Sequence, residues 1–438
     1  MTPMKHTSRH RAAGAGVVML AAVFAACSTA PPHESSDPPA EDTTTGEPNL
    51  QAFAECMREN GIADFPDPGP DGVSLAGTGV DPESAEFQAA QAACQDLMPP
   101  RPGSGAAGSA EASDWQKVVP AGDCACADGS QFAFWERPAD QTKVVLYLEG
   151  GGSCSDAVTC AFSGSGGEND YYDYNLSTER PGLGGGIFDF DQEDNPFAGY
   201  SFVYVPLCTG DVYLGDATVE YSPSLTVQHK GYVNGTAALD YLAEHYPDAT
   251  QVVVVGKTAG SVAAPVYGGL VADLLPDAQV TVLGAQSGHL PDDPDFNTAI
   301  LGDLWGAYGT MPGWEVNEGL TARDWGIPRF WTQAGLHDPA IVLARFDYAY
   351  DPNAAQTLAR LGVDSSTLDL IDANEAAIES AGVDLHSYTA PGDEHGIFEY
   401  EAFYDLEVEG VRLVDWIAAL LAGEPLDDVH CVECETSS

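Results

Sequence analysis

Thr258 is the residue on which the chemistry of this sequence turns. It sits in Gly256-Lys257-Thr258-Ala259-Gly260, directly after the four valines Val252 to Val255 and ahead of a helix-forming run. A hydroxyl held in a sharp turn between a buried strand and a helix stands clear of the backbone and can attack a carbonyl. Small neighbours, here Gly256, Ala259 and Gly260, let strand and helix approach each other. The helix N-terminus behind the turn favours the negative charge that such an attack develops. An alcohol nucleophile also needs a base, a carboxylate to orient that base, and N–H donors for the oxyanion.

Each of these parts follows a strand-like run. Leu148-Glu149-Gly150-Gly151-Gly152-Ser153 follows an apolar run at 144–148, and three glycines in succession fit close approach of backbone to a ligand. Asp347 directly follows the run 341–346 and is the favoured acid, with Asp351 the alternative. His395 lies in the loop 389–396 after the last strand and is the favoured base. His386 falls inside a strand, and His337 precedes the acid, which breaks the order nucleophile, acid, histidine. Ser261, the neighbouring hydroxyl, belongs to the first helical turn and is expected to point elsewhere.

The elements that must position these groups are legible as β-branched runs alternating with helical segments. Strands are expected at 144–148, 202–205, 252–255, 280–283, 341–346 and 384–388, and helices at 235–245, 261–275 and 408–422. This is an α/β pattern: an α/β-hydrolase-type, mostly parallel sheet flanked by helices over 114–425.

Leu148 to Cys154, Val205-Pro206-Leu207-Cys208-Thr209-Gly210-Asp211-Val212, His229-Lys230-Gly231-Tyr232-Val233-Asn234 and the Thr258 turn resemble the pectin acetylesterase/Notum family of carboxylesterases, over roughly 115–423. The resemblance implies that the backbones of Gly151, Gly152 and Ala259 form the oxyanion hole, and that Thr258, Asp347 and His395 hold the triad positions. Members of the family remove acyl groups from saccharide hydroxyls or, in Notum, a lipid from a protein serine. The departure is Thr258, where the family has serine. Its hydroxyl is chemically competent, but the extra methyl adds bulk where β-branching is disfavoured. The expected activity is hydrolysis of an O-acyl ester, above all O-acetyl, on a saccharide or related small ester, with no metal or organic cofactor. The alternatives are a catalytically weak binding protein that keeps the pocket, and a lipid-deacylating esterase.

Composition narrows the partners. Against 67 acidic residues stand 16 basic ones, a formal charge of −51. Such a surface repels nucleic acid, anionic lipid and polygalacturonate. Lys5, Arg9 and Arg11 precede an apolar run, 12–26, that ends Phe24-Ala25-Ala26-Cys27. This predicts a signal peptide over 1–26, acylation of Cys27, and a protein held to the outer face of a bacterial membrane by its lipid anchor alone. Residues 27–48 read as a tether, 49–98 as a small helical-hairpin module, 99–113 as a linker and 426–438 as a cysteine-containing tail.

In the module, Leu50, Phe53, Ala54 and Met57 form one helical stripe, and Phe87, Ala90, Cys94 and Leu97 a second, so a Cys56–Cys94 disulfide would clamp the pair. The Cys56-Met57-Arg58 context and the turn Phe65-Pro66-Asp67-Pro68 resemble small modules of actinobacterial lipoproteins. Seven cysteines remain, an odd number whose pairing spacing alone leaves open. Cys431 and Cys434, beside His430, lack a second ligand pair for zinc and read as a disulfide.

Overall fold

The computed structural model describes residues 54, 56–58, 60–63, 65–66, 90, 115–163, 169, 171–176, 184–432 and 434. Cys27, Cys94, the apolar run 12–26, the tether and the linker therefore lie outside the described residues. The chain divides into two units, Met1–Pro99 and Pro100–Ser438.

In the first unit, Ala54, residues 56–58 and Ala90 are helical. Ala54, Met57, Phe65 and Ala90 are buried, Ala54 and Met57 at the spacing of an inward helical stripe. Arg58 Nη1 donates to the carbonyl of Phe65 at 2.8 Å, fastening the helix to the turn after it. Cys56 is disulfide-bonded.

The second unit is built on a nine-stranded sheet. Its strands are β1 (Gln116–Val118), β2 (Phe134–Arg137), β3 (Asp140–Leu148), β4 (Tyr200–Val205), β7 (Gln251–Lys257), β8 (Gln279–Ala285), β9 (Val342–Tyr348), β10 (His386–Ala390) and β13 (Val429–His430), in the order β1-β2-β4-β3-β7-β8-β9-β10-β13. β1–β2 and β2–β4 pair antiparallel, and every other neighbouring pair is parallel. Outside this sheet, β5 (Ala217–Ser222) and β6 (Leu225–His229) form one hairpin, β11 (Glu407–Val408) and β12 (Val411–Arg412) another.

β7 lies near the middle, between β3 and β8, and its four valines are fully buried. Alternation sends Val252 and Val254 to one face and Val253 and Val255 to the other, each into its own apolar layer. A sheet covered on both faces explains a continuous apolar run where a half-exposed strand would alternate.

All six expected strands are present. The longer helices are α1 (Gly231–His245), α2 (Ala259–Leu274), α3 (Ile327–His337), α4 (Pro352–Leu361), α5 (Thr367–Ser380) and α6 (Leu413–Ala422). α1 begins one turn earlier than its sequence predicts because the Asp211 carboxylate, from a distant loop, accepts the Gly231 N–H at 2.7 Å. α6 begins later than expected. Glu409 and Gly410 both have positive φ, 50° and 85°, which no helix accommodates and which closes the β11–β12 hairpin instead.

Candidate active site

The backbone at Thr258 has φ 50° and ψ −107°, far from any region a β-branched residue prefers. The surroundings force it. Thr258 N–H is held by the Ala285 carbonyl at 2.8 Å, and Ala259 already begins α2. A Cβ on Gly256 would lie 2.4 Å from the Gly260 carbonyl oxygen, and one on Gly260 would lie 2.1 Å from that of Leu148. Both glycines are thus required by the approach of helix to strand. Ser261 turns away from the corner, fully buried, with its Oγ 2.7 Å from Ser287 Oγ.

Thr258 Oγ1 lies 3.1 Å from His395 Nε2, and His395 Nδ1 lies 2.7 Å from Asp351 Oδ2. With its proton on Nδ1, facing the carboxylate, the imidazole offers the Nε2 lone pair to the hydroxyl. Asp351 is buried, and its other oxygen caps α4 by accepting the N–H groups of Asn353 and Ala354 at 2.8 and 3.3 Å. One carboxylate therefore fixes both the start of a helix and the tautomer of the base.

This corrects the reading of Asp347 as the acid. Asp347 is the penultimate residue of β9, buried, with Arg345 Nε donating to it at 2.6 Å and the Gly288 N–H at 3.0 Å. Burial pushes its carboxyl above the usual range while Arg345 opposes the shift. Its role is to tie the loop after β8 to β9. The signal was present in the sequence: Arg345 and Asp347 share one face of a strand, and Asp351-Pro352 is a helix start with a carboxylate cap and proline in the first turn.

Thr258, His395, Gly151, Gly152 and Ala259 line one cavity of about 340 Å³. Ala259 N–H is in the first turn of α2, where no helical carbonyl can reach it. A Cβ on Gly150 would stand 3.3 Å from Thr258 Oγ1, so the glycine run keeps the space beside the hydroxyl open.

Sequence reasoning did not single out Gln286, His289, Asn353, Gln356 and Arg360, which also line the cavity. Burial pushes His289 down to about 4, keeping its ring neutral beside His395 and Asp351. Arg360 lies over the Tyr171 ring, 5.1 Å from its centroid.

Behind the site, Glu399 accepts from Tyr147 Oη at 2.5 Å and pairs with Lys257 Nζ at 2.6 Å. Burial works against the Lys257 charge, yet Glu399 outweighs it and leaves the ammonium harder to deprotonate than usual. Glu149 is pushed up to about 8, chiefly by burial, with Asp173 and Glu399 adding to the shift. Asp211, the acid of the Cys-Thr-Gly-Asp segment, is structural: it accepts from Thr209 Oγ1 at 2.6 Å and holds the start of α1.

Among the described residues, disulfides join Cys126 to Cys208, Cys154 to Cys160 and Cys431 to Cys434, and Cys124 is a free thiol. Two groupings that resemble metal sites, Cys154/Cys160/His229 and His430/Cys431/Cys434, have their sulfurs committed to these bonds.

A hydroxyl on a strand–turn–helix corner, with imidazole and carboxylate arriving from later strand ends of a parallel sheet, defines a protein of the α/β-hydrolase type. Residues 116–301 match the family described as pectinacetylesterase. The chain is 29% identical over 147 residues to the palmitoleoyl-protein carboxylesterase NOTUM of Schmidtea mediterranea, covering 31% of this chain and 26% of that protein. It is 24% identical over 177 residues to pectin acetylesterase 5 of Arabidopsis thaliana, covering 39% of this chain and 40% of that protein. The chain thus spans well under half the length of either relative. Its fold is similar to that of the Wnt deacylase Notum from Drosophila, with a TM-score of 0.53 and 15% identity, over 74% of this chain and 97% of that one. Residues 116–301 are thus similar to the pectin acetylesterase/Notum family, and the likeness to the solved structure is one of fold.

Proposed function

We propose that the second unit is a carboxylic ester hydrolase that removes a short O-acyl group, acetyl above all, from a saccharide or related hydroxylated alcohol. The observation that carries the reading is the continuous row Thr258 Oγ1, His395 Nε2, His395 Nδ1 and Asp351 Oδ2, with contacts of 3.1 and 2.7 Å. In the forward step His395 takes the Thr258 proton as Oγ1 adds to the ester carbonyl. The N–H groups of Gly151, Gly152 and Ala259 receive the oxyanion. The tetrahedral species collapses with loss of the alcohol, which takes the proton from His395. Water, activated by the same imidazole, then releases the carboxylic acid from the threonine ester.

The lining supports a polar alcohol over a long acyl chain. Ser153, Gln286, His289, Asn353, Gln356 and Arg360 would face hydrocarbon if a lipid tail filled the cavity, at a desolvation cost. A panel of p-nitrophenyl esters of graded chain length tests this: turnover should be greatest for acetate and fall with length. A maximum at long chains would favour the lipid-deacylating alternative. A catalytically weak binding protein remains the second reading, favoured by one observation, the β-branched Thr258 at φ 50°. It gains if neither the native chain nor a folded Thr258→Ser variant hydrolyses any ester. The reading also carries export and a lipid anchor at Cys27, supported by the basic, apolar and small-residue order before that cysteine.

A further inference from the structure

The loop after β8 holds one side chain that the fold leaves unused. Gln286 is 1% exposed, and neither its Oε1 nor its Nε2 has a hydrogen-bond partner among the described residues. Its backbone is in the left-handed region, φ 64°, unusual for a residue with a side chain. It lines the cavity that holds Thr258 and His395.

The rest of the loop is firmly fixed. Gln286 N–H is held by the Phe346 carbonyl at 2.9 Å, Ser287 Oγ meets Ser261 Oγ at 2.7 Å, and Gly288 N–H meets Asp347 Oδ1 at 3.0 Å. Asn374 Nδ2 donates to the carbonyls of Gly288 and Leu290 at 2.6 and 2.8 Å. Slack in the loop therefore does not account for the unpaired carboxamide. Burying a donor and an acceptor without partners opposes folding, and a methionine of similar shape would fill the place without that penalty.

We propose that Gln286 determines specificity by hydrogen-bonding the alcohol side of the substrate, selecting an ester whose alcohol carries a free hydroxyl beside the acylated one. The carbonyl oxygen would accept from that hydroxyl, and the NH₂ would donate to a neighbouring oxygen, a pairing that vicinal hydroxyls of a saccharide satisfy and an aryl or alkyl alcohol does not. The inference rests on the ester-hydrolase reading above and names the feature of the alcohol that this site reads.

The test compares the native chain with Gln286→Met on p-nitrophenyl acetate and on a mono-O-acetylated methyl hexoside. The ratio of kcat/KM for the sugar ester to that for the aryl ester should fall about 10- to 100-fold, mainly through KM. Tm should stay level or rise. An unchanged ratio in a folded variant overturns the proposal, because a merely structural glutamine would alter Tm without altering discrimination. If Gln286→Met does not fold, Gln286→Gly, which suits the positive φ, gives the same reading. If the native chain hydrolyses neither ester, the hydrolase reading fails, and calorimetric titration with the unacetylated methyl hexoside decides this one. Binding that Gln286→Met weakens about tenfold or more supports it; equal binding, or none to the native chain, overturns it.

Discussion

Exchanging the carboxylate of Asp351 for an amide separates the two acids most sharply. In Asp351→Asn the side chain can still cap α4, since asparagine is as good a cap as aspartate. Stability should change by no more than about 0.5 kcal/mol. If the amide oxygen keeps the contacts to Asn353 and Ala354, its NH₂ faces His395 Nδ1, now at 2.7 Å from a carboxylate oxygen. That N–H forces the imidazole proton onto Nε2, where it blocks acceptance from Thr258. Loss of the correct tautomer should lower kcat by about 10²- to 10⁴-fold. Asp347→Asn should do the reverse. It leaves Arg345, whose side chain is 2% exposed, without its counter-charge, at a cost of about 3–5 kcal/mol, while turnover per folded molecule stays near native. Urea unfolding and acetyl-ester turnover on the same preparations measure both. A folded Asp351→Asn protein of native kcat, alongside an inactive but folded Asp347→Asn protein, would refute the assignment.

Three further outcomes follow from the same structure. Glu149, raised to about 8 in the fold, binds a proton that the unfolded chain has lost, so its contribution falls as pH rises from about 4.5 to about 8. Urea titrations should show Glu149→Gln gaining stability relative to the native chain across that window, by at most about 1.4 kcal/mol per pH unit; a pH-independent difference would contradict the shift. Replacing both Cys126 and Cys208, which close a loop with a sequence separation of 82, by alanine should remove about 4.5 kcal/mol, read from non-reduced chemical denaturation. Cys27→Ala should move the protein from the membrane to the soluble fraction, and equal partitioning of variant and native chain would end the anchor proposal.

Much of the positioning frame could be read before the structure because it is written locally. Val252 to Val255, the glycines around Thr258 and the run Gly150 to Gly152 each carry their reason in their own neighbourhood. What could not be read depends on distant partners. The choice between Asp347 and Asp351 turns on β9 running through to Tyr348 and on Arg345 claiming the nearer acid. The short strands β1, β2 and β13 draw their order from the sheet they join, with only three, four and two residues to signal it. Cysteine pairing is a matter of topology, and Gln286 stands out only once its buried carboxamide is seen to lack a partner beside the cavity.

The central claim is that Thr258 is the nucleophile, and covalent trapping tests it most directly. The native chain and its Thr258→Ser and Thr258→Ala variants would be treated with an aryl fluorophosphonate, mapped by peptide mass spectrometry, and assayed for acetyl-ester turnover. The account predicts an adduct on residue 258 in the first two and none in the third. It also predicts at least tenfold faster turnover in Thr258→Ser, a gain of about 1.4 kcal/mol from relieving the methyl at φ 50°. An adduct on Ser261 or another hydroxyl, with turnover undiminished in Thr258→Ala, would contradict it.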